Sequence, residues 1–139
     1  LKDNKLRDPA GFTVGDTAID LAAIKTLTLV LALKDDHVSA WEAVYAGARH
    51  LNADFVLGGS GHNAGVINPP SRNKHGYWTG PKKLPESAAE WLAQAEKHEG
   101  SWWPFWTKWL TAHGSAKPVP ARQPAKPIEP APGSYAMMP

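Results

Sequence analysis

From Gly58 to Pro70 the sequence disfavours a regular helix or a regular strand. Glycine stands at 58, 59, 61 and 65 and proline at 69 and 70. The stretch follows the apolar run Asp54-Phe55-Val56-Leu57 and carries one histidine, His62, inside Gly61-His62-Asn63-Ala64-Gly65-Val66-Ile67-Asn68-Pro69-Pro70. It therefore reads as a loop at a strand end, with backbone packed closely around His62. Loops held on a rigid scaffold are common seats of catalytic side chains. A turn with an incidental histidine is the alternative until the preceding sequence is considered.

That sequence supplies a scaffold. Thr26-Leu27-Thr28-Leu29-Val30-Leu31-Ala32-Leu33 is almost continuously apolar, as for a strand covered on both faces in a parallel sheet. It stops at Lys34-Asp35-Asp36-His37. A helix is predicted from Ser39 to Leu51, with Trp41, Val44, Tyr45, Ala48 and Leu51 at helical spacing, Ser39 as N-cap and Glu42 three residues on. The strand Phe55–Leu57 and the His62 loop follow. Both polar clusters thus lie at C-terminal ends of strands, the edge where open α/β sheets place their chemistry, so Asp36 and His62 are expected to meet there. In α/β-hydrolases the nucleophile comes first along the chain, then the acid, then the histidine. The last two are here in that order, and the nucleophile would lie upstream of Leu1. Ser39 and Ser60 lack the Gly-x-Ser-x-Gly elbow. For Asp36 the plainer alternative is a capping carboxylate or a solvated turn charge.

The remaining chain divides by pattern into residues 1–80, a core segment; 81–113, a tryptophan-rich helical segment packing on the core; and 114–139, a tail rich in proline and alanine. Residues 1–18 are polar and turn-rich, with Asp8-Pro9, Gly11 and Gly15-Asp16 as breakers, and Ile19–Ile24 is a short apolar patch. Ser71–Lys83 reads as a polar connection containing Tyr77-Trp78. A helix is predicted from Pro85 through about His98, with Trp91, Leu92 and Ala95 on one face, ended by Gly100. A second starts at Ser101-Trp102-Trp103-Pro104, proline being tolerated in a first turn. Six of the seven tryptophans lie from Trp78 to Trp109. Trp102, Trp106 and Trp109 share a helix face, which would cover the sheet or a neighbouring domain, or else offer an aromatic surface to a hydrophobic polymer or partner. In the tail, Gly133-Ser134-Tyr135 is a candidate anchor back onto the body. A start at Leu1, in a charged stretch without an initiating methionine, reads as a C-terminal fragment.

Composition narrows the chemistry. With no cysteine there is no disulfide framework, thiolate metal site or internal thiol nucleophile. A net charge of +2 with scattered basic residues gives no electrostatic case for nucleic acid. No apolar run approaches the roughly 20 residues of a membrane span, and no signal-peptide pattern is present.

The chain resembles the C-terminal part of class I poly(3-hydroxyalkanoate) synthases. The resemblance rests on Lys34-Asp35-Asp36-His37 with Trp41, on Phe55-Val56-Leu57-Gly58-Gly59-Ser60-Gly61-His62 through Gly65-Val66-Ile67-Asn68-Pro69-Pro70, on Gly100-Ser101-Trp102-Trp103-Pro104, and on Ile128-Glu129-Pro130-Ala131-Pro132-Gly133-Ser134-Tyr135. It implies the C-terminal portion of an α/β-hydrolase fold, its last strands and helices, followed by tryptophan-rich helices and a proline-rich tail. His62 becomes the catalytic histidine and Asp36 the catalytic aspartate, with His37 a candidate supporting residue and the nucleophile a cysteine upstream. It further implies a 3-hydroxyacyl-CoA substrate, a growing polyester, no metal or other cofactor, a homodimer, and a cytoplasmic place at the surface of polymer granules. Asn63 stands where that family usually has an aliphatic residue, and Phe105 where an acid is common. The competing readings are another α/β-hydrolase with a serine nucleophile, and a non-catalytic tryptophan-rich module for granule binding or dimerisation.

Overall fold

The structure is a computed structural model that describes residues 3–114, 119–123 and 126–138. Its elements are β1 (Phe12–Val14), β2 (Thr17–Ile19), β3 (Leu29–Leu33), α1 (Trp41–His50), β4 (Asp54–Gly58), β5 (Tyr77–Thr79), α2 (Ala88–Gln94), β6 (Glu96–His98) and α3 (Trp103–His113). The architecture is mixed α/β. β1 and β2 form an antiparallel hairpin about Gly15-Asp16, and the other four strands form one sheet in the order β3-β4-β5-β6.

The strand–helix–strand reading holds. β3 and β4 pair in parallel, Leu29 opposite Asp54 through Leu33 opposite Gly58, with α1 as the crossover. β3 is shorter than expected: it begins at Leu29, and ahead of it the Thr28 carbonyl accepts the Asp54 amide of β4 at 2.9 Å. The cap of α1 also differs. Its N-cap is Ala40 with no side-chain bond, and the Ser39 amide is taken by Asp36 instead.

Two expectations fail beyond β4. Tyr77-Trp78-Thr79 is β5, antiparallel to β4, and Glu96-Lys97-His98 is β6, antiparallel to β5. The helix predicted through His98 ends at Gln94. Its start is well specified: Ser87 and Glu90 form a capping box, the Ser87 hydroxyl accepting the Glu90 amide at 3.1 Å. Past Gln94 the side chains have no apolar stripe to bury, and the β5 edge offers ladder partners. His98 stacks on Tyr77 at 4.7 Å and its Nε2 lies 2.7 Å from the Thr79 hydroxyl, a cross-strand cluster that fixes the pairing.

The core sits between the sheet and α1–α2. Phe55 and Leu57 project from β4 towards Trp41, Tyr45 and Ala48 of α1 and Trp91 of α2. Phe55 meets Tyr45 and Trp91 edge to face, at 5.1 and 4.9 Å between ring centres, and the Tyr45 hydroxyl donates to the Pro85 carbonyl at 2.8 Å. The Trp109 indole N–H of α3 donates to Asp54 at the foot of β4, at 2.7 Å. The tryptophan-rich face is thus only partly covered. Trp102 is buried and packs on Trp106 at 5.5 Å, while Trp106 and Leu110 are exposed.

In the tail, Pro118 and Pro124 lie outside the described residues. Tyr135 does not anchor to the body; it is 87% exposed, and the neighbouring Ser134 hydroxyl donates to Glu129 within the tail. Among the described residues no helix is long and apolar enough to cross a membrane.

Candidate active site

The site is built where β3 and β4 end. Pairing continues past the strands: the Lys34 amide donates to the Gly58 carbonyl at 2.9 Å and the Asp35 amide to the Ser60 carbonyl at 3.2 Å. These two bonds tie the turn after β3 to the loop after β4, so the next residues along each strand are brought side by side. Asp36 Oδ2 and His62 Nδ1 are 2.8 Å apart, across 26 residues of sequence.

The loop reaches this position because its backbone packs tightly. A Cβ at Gly59 would collide with the His75 carbonyl oxygen. One at Gly65 would stand 2.5 Å from both the Gly59 carbonyl oxygen and a Leu33 methyl group. Only glycine allows those approaches. Within the loop the Gly65 amide donates to Gly61 and the Ile67 amide to Asn63, at 3.0 and 2.9 Å, winding the chain after His62 into short turns.

Asp36 has two tasks. Its Oδ1 accepts the amides of Val38 and Ser39 at 2.8 and 3.1 Å, which fixes the turn before α1, and Oδ2 faces the imidazole. The capping reading and the catalytic pairing therefore describe two oxygens of one carboxylate. The bond to His62, supported by the two amides, holds the Asp36 carboxyl down at about 2 against an ordinary 3.8. Its side chain is 8% exposed and that of His62 49%. An anionic Oδ2 can only accept, so in neutral His62 the proton sits on Nδ1 and the lone pair on Nε2. Chemically, a pair so bonded at Nδ1 can act as an oriented base through the other ring nitrogen, Nε2.

His37, the supporting candidate, is exposed and stands outside this bond, as does the exposed Asp35 side chain. Among the described residues, no group of three His, Asp or Glu side chains comes together as a metal site.

A set of contacts from α3 goes beyond the sequence reading. The Trp102 indole N–H donates to the carbonyls of Gly65 and Val66 at 3.1 and 3.2 Å, and that of Trp103 to Val66 at 2.9 Å. The Ser101 hydroxyl donates to the Asn68 carbonyl and accepts the Trp103 amide at 3.1 Å. Asn68 is itself buried, its amide N–H donating to the Lys74 carbonyl. The sequence signal is the run Ser101-Trp102-Trp103 before Pro104, which helical periodicity reads as a helix start and nothing more.

No family model matches the chain. It is 46% identical over 138 residues to the poly(3-hydroxyalkanoate) polymerase subunit PhaC of Cupriavidus necator, 95% of this chain and 23% of that protein. It is 39% identical over 142 residues to poly(3-hydroxyalkanoate) polymerase 2 of Ectopseudomonas oleovorans, 98% of this chain and 25% of that one. The polymerase subunit PhaC of Rhizobium etli is 41% identical over 125 residues, 86% of this chain and 19% of that protein. The chain spans a quarter or less of the length of these relatives.

Proposed function

We propose that this chain, which belongs to the poly(3-hydroxyalkanoate) polymerase family, carries the histidine and aspartate of an acyl-transfer site that builds a polyester from 3-hydroxyacyl-CoA. The observation that carries the reading is the 2.8 Å bond between His62 Nδ1 and Asp36 Oδ2 at the ends of two parallel strands. The strand–helix–strand unit with its site at the C-terminal rim fits a portion of an α/β-hydrolase fold.

In this mechanism the nucleophile is a cysteine outside these residues, since the chain has none. His62 Nε2 takes the proton of that thiol, and the thiolate attacks the thioester carbonyl of the substrate. The carbon–sulfur bond to coenzyme A breaks, and the departing thiolate takes the proton back from His62. The acyl group is now a thioester of the cysteine. Neutral His62 next accepts the proton of a 3-hydroxyl group, whose oxygen attacks that thioester. The new ester bond extends the polymer as the bond from carbonyl carbon to cysteine sulfur breaks, and the departing cysteine thiolate takes the proton back from His62. Asp36 keeps Nδ1–H pointed away from the reacting atoms and stabilises the imidazolium that forms twice per cycle. Its Oδ1 is occupied by two backbone amides, which favours this orienting role over direct deprotonation of the hydroxyl. A cytoplasmic dimer at the granule surface, a short-chain monomer such as 3-hydroxybutyryl, and the absence of any cofactor belong to the same proposal.

The test is coenzyme A release from 3-hydroxybutyryl-CoA by the complete polymerase carrying this segment, with His62→Ala and Asp36→Ala beside it. Loss of turnover in both folded variants supports the assignment, and turnover retained in both defeats it. The 139-residue chain alone is expected to release none.

A further inference from the structure

The His62 ring is half exposed, and Asp36 is its hydrogen-bond partner in the structure. Little packing therefore holds the imidazole in place, and its position follows the backbone that carries it. On the β4 side that backbone is fixed by the Gly59 amide to Gly76 at 3.0 Å and by the Ser60 carbonyl to Asp35 at 3.2 Å. On the far side the turns after His62 are gripped from another element altogether. Ser101, Trp102 and Trp103 direct a hydroxyl and two indole N–H groups at the carbonyls of Gly65, Val66 and Asn68, 33 to 37 residues earlier in the chain.

We propose that Ser101, Trp102 and Trp103 are positioning residues for His62. The start of α3 clamps the loop so that Nδ1 meets Asp36 and Nε2 faces the reacting atoms. The inference rests on the acyl-transfer reading above for its kinetic consequence, though not for its geometric one. These tryptophans act through their N–H groups as well as their ring area: Gly65 and Asn68 are buried, and a buried carbonyl deprived of its donor re-seeks one by shifting the loop, whereas the exposed Val66 can turn to water. A displacement of about 1 Å at a catalytic group costs on the order of 10²-fold in rate.

The experiment uses the complete polymerase carrying this segment, with the double variant Trp102→Phe/Trp103→Phe, which keeps aromatic area and removes both donors. Ser101→Ala and Ser101→Thr form a second pair, the threonine keeping the hydroxyl. Two readouts are taken, steady-state coenzyme A release and the far-downfield proton resonance of His62 Nδ1–H, assigned by its absence in His62→Ala. The expected result is a kcat lowered ten- to hundred-fold with KM within twofold, a broadened or shifted Nδ1–H resonance, and recovery of both in Ser101→Thr relative to Ser101→Ala. An unchanged resonance and unchanged kcat in the double variant and in Ser101→Ala overturn the proposal, as does a fall in kcat that merely tracks the folded fraction. If His62→Ala itself keeps turnover, the acyl-transfer reading fails, and the resonance alone then decides whether the clamp holds the imidazole.

Discussion

At Asp36 one side chain joins two turns, and the substitutions that separate its tasks are available. Asparagine in its place would keep an oxygen for the Val38 and Ser39 amides but lose the anion that fixes the His62 tautomer. Asp36→Asn is therefore expected to lower the melting temperature of the polymerase less than Asp36→Ala does, because it keeps the turn bonds and loses only the anion's contribution, while lowering kcat by about 10³-fold or more. The pH dependence follows from the depressed carboxyl. A group whose folded pKa lies below its unfolded value stabilises the fold above the unfolded pKa and loses that contribution as pH falls through the folded one. For Asp36 the loss runs from about 3.8 down to about 2, and Asp36→Asn should abolish that portion of the acid unfolding profile. Asp36 and His62 are legible in the sequence because each terminates an apolar run with a polar cluster. The division of the carboxylate between two backbone amides and the imidazole is not, since it depends on atoms and not on spacing.

At the scale of elements, local signals succeed where one pattern rules and fail where two compete. β3, α1 and β4 each combine an unambiguous periodicity with clear breakers, and they stand where expected within a few residues. Tyr77–Thr79 and Glu96–His98 are three-residue strands, too short to establish a period, and the second follows a helix whose propensity runs on past its end. What decides them is the tertiary ladder, which a linear reading does not contain. The loop between β4 and β5 is recognisable by its glycines and prolines, but its fastening to α3 is not, because indole donors carry no sequence mark that distinguishes them from core tryptophans. Gly65 tests the tightness of that loop. Gly65→Ala drives a methyl group into the Gly59 carbonyl and Leu33, and is expected to cost about 1–3 kcal/mol, read as a lowered melting temperature, with turnover falling further than stability.

Over the whole molecule, stability concentrates in one aromatic knot beneath the sheet. Trp91 is fully buried against Phe55 and Tyr45, and its indole N–H has no hydrogen-bond partner among the described residues. The ring area is then what matters: Trp91→Ala should cost about 3–5 kcal/mol and Trp91→Phe markedly less, compared by thermal or denaturant unfolding of the complete polymerase. The sheet itself ends at β3, which pairs with β4 on one side and with no strand among the described residues on the other. A strand of sequence Leu-Val-Leu-Ala-Leu with such a side is a ready template for a further strand, from the same polypeptide or from a second copy. The solution behaviour of the 139-residue chain follows from that edge. Its light scattering should rise with concentration, carrying the infrared signature of added intermolecular β-structure, and Leu29→Lys should suppress the rise. A net charge of only +2 offers little colloidal repulsion against it, so the solubility of these residues is governed by whatever occupies one row of backbone amides.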